Sequence, residues 1–320
     1  SFPTRRSSDL LSGLIIIDEI QKKPDLFPIL RVLVDDPNNN KQFLILGSAS
    51  RELIQQSSES LAGRIYYLEL TPFNGEEVND FQKLWLRGGF PKSYLAKDQE
   101  HSSLWLKGYI KTYLEQDIPN LGFKIPAATL HRFWMMLAHY HGQIFNASEL
   151  GQSLGIADTT CKRYLDILTG TFMMRQLHPW IENIKKRQVK NSKIFFRDSG
   201  IFHSLLGIQT KSELLHHPKL GASWEGFALE ETLRHMDKVA DDCFFWGIHS
   251  QAELDLLVFK NGKRIGFEFK FSDSPKVTSS LKISMDSLNL DQAYIIIPGK
   301  TQFKLASNIF VNGLETVYDL

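Results

Sequence analysis

An Asn-Gly pair at positions 261 and 262 separates two apolar, strand-like runs and restricts how they can pair. Asn-Gly favours a two-residue type I′ turn between antiparallel strands, so Lys260 is predicted to face Lys263. In an antiparallel pair, the residue numbers of facing positions always add up to the same value. The register that pairs Lys260 with Lys263 therefore sets Asp255 opposite Glu268. Strand alternation brings Lys270 to the face that carries both acids. The sequence thus predicts three charged side chains together on one face of a hairpin.

Two carboxylates that face each other across a hairpin repel, so the pairing of Asp255 with Glu268 needs an explanation. A divalent cation such as Mg²⁺ removes that repulsion, because it binds carboxylate oxygens. The nearby lysine is then placed to orient or deprotonate a metal-bound water. A helix predicted upstream supplies a third carboxylate, either Glu225 near its start or Glu230 and Glu231 further along. The alternative is a solvent-exposed hairpin face, on which Glu and Lys are ordinary.

Near the start of the chain, an apolar run at 14–17 ends in Asp18 and Glu19. Such a run is typical of a strand buried on both faces of a parallel sheet. A helix at 26–34 and a second strand at 43–46 complete a strand-helix-strand unit. Parallel sheets bind ligands beyond the carboxyl ends of their strands, where both acids emerge. The pattern looks like a Walker B motif, in which Asp18 holds the Mg²⁺ of a nucleotide and Glu19 orients or deprotonates the attacking water.

Two further residues extend this pattern. Ser48 follows the second strand and resembles the sensor residue of AAA-type ATPases, while Arg64, after Leu-Ala-Gly, is placed to reach a γ-phosphate in its own or a neighbouring subunit. The alternatives are that Ser48 starts a turn and that Arg64 is a surface residue after a glycine that ends a helix.

The middle of the chain has a helix-turn-helix pattern. Helices are predicted at 131–140, 147–154 and 158–168, with a tight Gly-Ile-Ala turn before the third, and strands at 172–177 and 194–196 suit a wing. Two sets of residues are candidates for phosphate contacts with DNA or another nucleic acid. They are Thr159, Thr160, Lys162 and Arg163 on the third helix, and the basic run Lys185, Lys186 and Arg187 with Lys190 and Lys193. The alternatives are a protein-contact module and a solvated basic hairpin.

Composition narrows the class of protein only slightly. The net charge of +1 makes no overall case for nucleic acid. Cys161 and Cys243 have no metal-ligand spacing and predict a reducing, cytoplasmic compartment without disulfides. No apolar stretch reaches the ~18 residues of a membrane span, so no membrane association is expected.

These motifs carry a resemblance. Asp255, the Glu268-Phe269-Lys270 run and the upstream Glu225 resemble the PD-(D/E)XK restriction-endonuclease-like fold. The full order resembles the prokaryotic AAA-type ATPases that carry the domain of unknown function 4143. Its successive motifs here are Asp18-Glu19, Gly47-Ser48, the Leu-Ala-Gly-Arg at 61–64, the Gly-Gly-Phe-Pro at 88–91, the winged-helix pattern at 131–196 and the nuclease-like pattern at 220–300.

The resemblance implies an α/β multidomain protein. We expect a partial P-loop AAA-type parallel α/β sheet, then a winged-helix domain, then a restriction-endonuclease-like α/β domain. The predicted boundaries are a non-native leader at 1–10, the partial ATPase domain at 11–87, a helical linker at 88–125, the winged helix at 126–215 and the nuclease-like domain at 216–320.

The family's phosphate loop has no counterpart in this sequence. Gly299-Lys300-Thr301 lacks the required upstream glycine, because position 294 is Tyr. The resemblance implies Mg²⁺ and ATP as cofactors of the intact protein, with nucleotide state coupled to nucleic-acid or partner binding. This chain alone is expected not to hydrolyse ATP. Two other functions stay open, a Mg²⁺-dependent nuclease and a non-enzymatic binding module, and a homo-oligomer is one expectation because AAA-type domains often form rings.

Overall fold

The computed structural model describes residues 13–47, 61–181, 189–236, 243–248 and 252–319. They belong to two compact units. The first comprises Ser1–Leu70 with Gly170–Phe172, and the second comprises Thr71–Thr169 with Met173–Leu320. None of the helices in these parts of the chain combines the length and apolar composition that a membrane crossing requires.

The first unit contains the predicted strand-helix-strand arrangement. Strand β1 (Gly13–Ile17) runs parallel to β2 (Lys41–Ile45), and helix α1 (Leu26–Asp35) connects them after a 3₁₀ turn at Ile20–Lys22. Ile20, Phe27, Leu30 and Leu61 form its buried core.

The expectation that β1 is buried on both faces is wrong for the described residues. Leu14 and Ile16 are each 58% exposed, whereas Ile15 and Ile17 are half-buried. Side chains alternate along a strand, and the small core built with α1 covers one face of β1.

The second unit contains a mixed sheet that has nine strands within the described residues. Its spatial order is β10-β11-β9-β8-β7-β6-β4-β5-β3, and most neighbouring strands are antiparallel. The strands are β3 Gln143–Ile144, β4 Met174–Pro179, β5 Lys193–Phe196, β6 Cys243–Ile248, β7 Ala252–Lys260, β8 Lys263–Phe269, β9 Gln292–Ile297, β10 Gln302–Ala306 and β11 Ile309–Gly313.

The described part of the second unit also contains ten α-helices of four or more residues. They are α2 Phe81–Arg87, α3 Pro91–Tyr94, α4 Gln99–Thr112, α5 Ala127–His139, α6 Ala147–Leu154, α7 Asp158–Gly170, α8 Ser199–Leu205, α9 Lys211–His216, α10 Leu220–His235 and α11 Ser279–Leu288. A π-helical turn, Tyr113–Asp117, extends α4, and a 3₁₀ helix, Leu314–Asp319, ends the described chain.

The middle segment follows the predicted order of helices and strands. Helices α5, α6 and α7 pack around an apolar core, and β3, β5 and β4 form an antiparallel ladder beside them. The Asn146 side chain accepts a hydrogen bond from the Glu149 amide and so caps α6, and Gly155 ends that helix in the left-handed conformation. Local capping therefore positions the turn before α7.

The Gly-Gly-Phe-Pro stretch at 88–91 lies inside the second unit, which begins at Thr71. Gly88 has φ of 75°, and a Cβ there would lie 2.2 Å from an Asp198 carboxylate oxygen. The Gly89 amide donates a hydrogen bond of 2.8 Å to the same carboxylate. The two glycines thus allow the backbone to pack closely against Asp198.

Helix α10 is buried along most of its length, and within Ser223–Leu233 only Glu225 is half-buried. It contacts β8 and the C-terminal 3₁₀ helix. Its Glu230 carboxylate accepts hydrogen bonds from Arg175 on β4, and Arg197 lies 3.5 Å from the same group. Burial opposes ionisation of this carboxyl, but the surrounding arginines outweigh burial and lower the pKa of Glu230 to about 2.

Glu230→Gln is expected to lower the free energy of unfolding by about 3 kcal/mol at neutral pH, because it leaves Arg175 and Arg197 buried beside a neutral side chain. Urea denaturation measures this loss. The exposed Glu115→Gln is the matched control, with a change below about 0.5 kcal/mol.

The pH dependence of this loss has a definite sign. The folded-state pKa of Glu230 is depressed, so its contribution is present above 4.5 and is lost as the pH falls towards about 2. The difference between wild type and Glu230→Gln must shrink over that range, and a difference that stays constant would contradict the assignment.

Candidate functional site: a buried carboxylate and lysine cluster

The hairpin formed by β7 and β8 has the predicted register. Asn261 and Gly262 have φ values of 52° and 74°, as a type I′ turn requires. Lys260 pairs with Lys263, and the antiparallel pairing continues to Leu256 and Phe267. Beyond this last pair, the Phe269 amide donates a hydrogen bond of 2.9 Å to Asp255 Oδ2.

The alternative of a solvent-exposed hairpin face is wrong. Asp255 is 7% exposed and Glu268 is 4% exposed, although charged side chains are rarely buried without partners. The apolar residues Phe267 and Phe269 on the other face are also buried, so this part of the hairpin is covered on both sides. Two acids are therefore held out of water at the end of the hairpin.

Of the three acids offered by α10, Glu225 reaches this cluster. Glu230 is bound by arginines, as described above, and Glu231 accepts hydrogen bonds from the Gly75 amide, Tyr318 and Arg234. Burial and the nearby Asp255 raise the pKa of Glu225 to about 8. Glu225 is therefore the acid of α10 that lies beside Lys193 and Asp255.

Lys270 lies beside Glu268, with its Nζ 3.1 Å from Oε2. Burial disfavours the ammonium form, but Asp255 and Glu268 outweigh burial and raise the pKa of Lys270. Burial and Asp255 in turn raise the pKa of Glu268 to about 7. Lys270 is therefore an ammonium group at neutral pH, and its charge suits orientation of an anion better than removal of a proton.

Sequence reasoning placed Lys193 in a basic run suited to phosphate contacts and missed its position in this cluster. The side chain of Lys193 is 3% exposed, and its Nζ lies 3.5 Å from Glu225 Oε1 and 3.9 Å from Asp255 Oδ1. It also donates a hydrogen bond to Glu253 Oε1. The sequence feature that could have indicated burial of Lys193 is its position at the start of a strand. The other residues of this strand, at 194–196, are all apolar and are buried in the structure.

The described part of the cluster has an excess of negative charge. Four carboxylates, Glu225, Glu253, Asp255 and Glu268, lie around two ammonium groups, those of Lys193 and Lys270. With all six groups ionised, the formal balance is two negative charges. This excess, together with burial, explains why carboxyl pKa values in the cluster are raised.

The donor chemistry fits a divalent cation, because carboxylate oxygens are its preferred ligands and positive charge is in deficit. Among the residues that the structure describes, however, no group of three or more His, Cys, Asp or Glu side chains is arranged to hold a metal ion. The Lys193 ammonium lies where Glu225, Glu253 and Asp255 converge.

In the first unit, Asp18 and Glu19 follow β1 at its carboxyl end, as predicted. Glu19 adopts a left-handed backbone conformation with φ of 53°, its amide donates to Asp18 Oδ1, and Lys22 lies 3.7 Å from its carboxylate. Arg64 donates to Asp35 and to the Ala62 carbonyl oxygen. Ser48 and the leader at 1–10 lie outside the described residues.

Helix α7 has a buried face and an exposed face. Tyr164, Leu165 and Leu168 are buried. Thr159, Lys162 and Arg163 are exposed, and Thr160 is half-buried. Lys185, Lys186 and Arg187 lie outside the described residues.

Three family models match successive parts of the chain. An AAA domain matches residues 4–79, a Domain of unknown function (DUF8612) matches 78–212, and a Domain of unknown function (DUF4143) matches 220–317. The first match begins inside the predicted leader. Uncharacterized protein Rv2008c of Mycobacterium tuberculosis (strain ATCC 25618 / H37Rv) is 48% identical over 301 residues, which is 93% of this chain and 68% of that protein. Uncharacterized protein Mb2031c of Mycobacterium bovis (strain ATCC BAA-935 / AF2122/97) has the same identity and coverage.

The chain belongs to the AAA family that carries DUF4143. The matches confirm the resemblance that the sequence motifs indicated. The chain is an ATPase-like protein of mixed α/β structure. The carboxylate cluster lies in the second unit, and Lys193 and Glu225 belong to different family models.

Glu268→Gln is expected to stabilise this protein more at pH 8 than at pH 5. The folded-state pKa of Glu268 is raised from 4.5 to about 7, so its ionisation costs stability as the pH rises through that range. The extra gain at pH 8 is on the order of 1–3 kcal/mol. Urea unfolding in EDTA at both pH values measures it, with the exposed Asp286→Asn as control. An equal change at both pH values would count against a raised pKa.

Proposed function

We propose that this protein is an AAA-type ATP-binding protein whose second unit carries a PD-(D/E)XK-like site for divalent-cation-dependent hydrolysis of nucleic-acid phosphodiesters. The observation that carries this proposal is the meeting of Asp255, Glu268 and Lys270 with Glu225 in one cluster, in which Asp255 and Glu268 are buried. These residues come from two strands and a separate helix, and the first three were grouped from the hairpin register alone.

Each residue has a role in the proposal. Asp255, Glu268 and Glu225 would supply carboxylate oxygens to Mg²⁺. When bound, Mg²⁺ would polarise a phosphate oxygen and lower the pKa of a bound water. Lys270, held as an ammonium beside Glu268, orients the scissile phosphate or the attacking water. Burial of Asp255 and Glu268 restricts access of bulk water, which strengthens the charge interactions among these groups.

The middle segment supports nucleic acid as the substrate class. Its order of helix, strand, two helices and two strands fits a winged helix. Lys162 and Arg163 on the exposed face of α7 suit phosphate contacts, which fix the register of a duplex without reading its sequence. The proposal therefore assigns substrate positioning to α7.

In the first unit, Asp18 and Glu19 at the carboxyl end of a parallel strand support the assignment to Mg²⁺-ATP. Asp18 would bind the metal, Glu19 would position the attacking water, and Ser48 and Arg64 would contact the γ-phosphate. Nucleotide turnover would then control binding or cleavage of nucleic acid by the second unit.

Asp255→Asn and Lys270→Met are each expected to lower cleavage of DNA or RNA by at least about a hundredfold, because each removes a group that touches the metal or the phosphate. The measurement is a cleavage assay on single- and double-stranded substrates with Mg²⁺ or Mn²⁺. Asp286→Asn and Lys282→Met on the exposed face of α11 are the matched controls and should cleave like wild type.

Absence of product from wild-type protein on all four substrates, with either metal, would reject the nuclease. Binding that strengthens steeply at low salt without product would instead favour the non-enzymatic module, since phosphate contacts release counterions.

We also expect no Mg²⁺-dependent ATP turnover by this 320-residue chain. Its sequence contains no Gly-x-x-x-x-Gly-Lys-Ser/Thr motif, whose backbone amides and lysine make most phosphate contacts. Gly299 instead has φ of 89° in a turn after β9. Release of phosphate from ATP tests this expectation. Robust turnover that disappears in Asp18→Asn would contradict it and would show that the strand end is sufficient.

A further inference from the structure

Lys193 lies in the carboxylate cluster but is not one of the residues to which the proposed function gives a role. Its backbone pairs with Ile144 on β3 and Leu177 on β4, so it belongs to the middle segment. Its ammonium contacts Glu225 from α10 and both Glu253 and Asp255 from β7. A single lysine thus joins acids from two other elements.

Burial makes this contact different from a surface ion pair. With 3% of its side chain exposed, Lys193 has given up hydration, and its ammonium faces three acidic side chains. A lysine ammonium is a compact point charge, so it neutralises such a group much as a small cation does.

The spacing of the acids matches an ammonium better than a bound metal. Glu225 and Asp255 oxygens lie 3.5 and 3.9 Å from Lys193 Nζ. Carboxylate oxygens that bind Mg²⁺ lie about 2.0–2.1 Å from it. An ion at the position of Nζ would therefore need both oxygens to move closer to it, and the ammonium occupies that position.

We propose that the Lys193 ammonium occupies the position of the cation in this cluster, and that a divalent cation binds Glu225 and Asp255 by displacing it. This inference rests on the divalent-cation site proposed above and adds its regulation. Because β5 fixes the backbone of Lys193, the cation affinity of the cluster depends on the position of a strand from the middle segment.

The first test measures binding of Mn²⁺ alone to the full chain by titration calorimetry. Lys193→Met is expected to bind Mn²⁺ at least about tenfold more tightly than wild type, because a like charge about 4 Å from the ion is removed. Lys193→Arg keeps the charge and should stay near the wild-type affinity. Lys282→Met removes an exposed lysine from α11 and should leave the affinity unchanged.

A second measurement uses wild-type protein and does not depend on the folding of a variant. An amine-reactive reagent is applied with and without saturating Mn²⁺, and modification at each lysine is read by mass spectrometry. Lys193 should react several-fold faster with Mn²⁺, because displacement carries its buried amine towards solvent. Lys282 should react equally in both samples.

Two results would overturn displacement by the metal. One is equal Mn²⁺ affinity of wild type and Lys193→Met, and the other is a Lys193 that stays protected when Mn²⁺ is saturating. Either result leaves the proposed nuclease to its own cleavage assay. Failure of both wild type and Lys193→Met to bind millimolar Mn²⁺ would reject the divalent-cation site itself, and with it both proposals.

Discussion

The second unit depends on neutralisation of three acids that α10 carries into the protein interior. Glu230 is bound by arginines from β4 and from the segment after β5, and Glu231 is bound by Arg234. Glu225 lies against Lys193. Each pair is expensive to desolvate, so these contacts are weak evidence for net stability. They do impose a strict condition, because a misplaced α10 would leave buried charges without partners.

That condition explains how distant parts of the chain are brought to one place. Two basic partners of α10, Arg175 and Lys193, lie on β4 and β5 in the middle segment, whereas the acids of the hairpin lie on β7 and β8. Strands β4 and β6 pair through two residue pairs, which makes the sheet continuous between these regions. The ion pairs of α10 and the pairing of β4 with β6 therefore both join the middle segment to the hairpin region, and the cluster forms where these regions meet.

Features set by neighbouring residues were predictable from the sequence. The Asn261-Gly262 turn determines its register within a few residues, and Asn146 and Gly155 define the ends of α6 through local caps. The proximity of Asp255 and Glu268 follows from the turn alone. The strand-helix-strand order of the first unit was predictable for the same reason, because hydrophobic period and chain order suffice.

Features set by tertiary contacts were not predictable in this way. Lys193 belongs to a basic stretch, and its burial follows from acids that lie 32 and 60 residues further along the chain. Gly88 and Gly89 resemble a linker, but their lack of side chains serves a close contact with Asp198. The exposure of Leu14 and Ile16 likewise depends on which strand face α1 covers. In each case a contact with another element of the structure decides the outcome.

The position of Lys193 also changes what counts as the functional unit. The predicted boundary between 126–215 and 216–320 separates Lys193 from Glu225, as does the boundary between the two family models. A fragment that begins at residue 216 would retain Asp255, Glu268 and Lys270 but would lose the buried ammonium that balances them. Its carboxylates would repel more strongly and would bind any available cation more readily. Any activity measured on such a fragment would therefore belong to a site that lacks its internal counter-ion. The chemistry of this cluster has to be studied with the middle segment present.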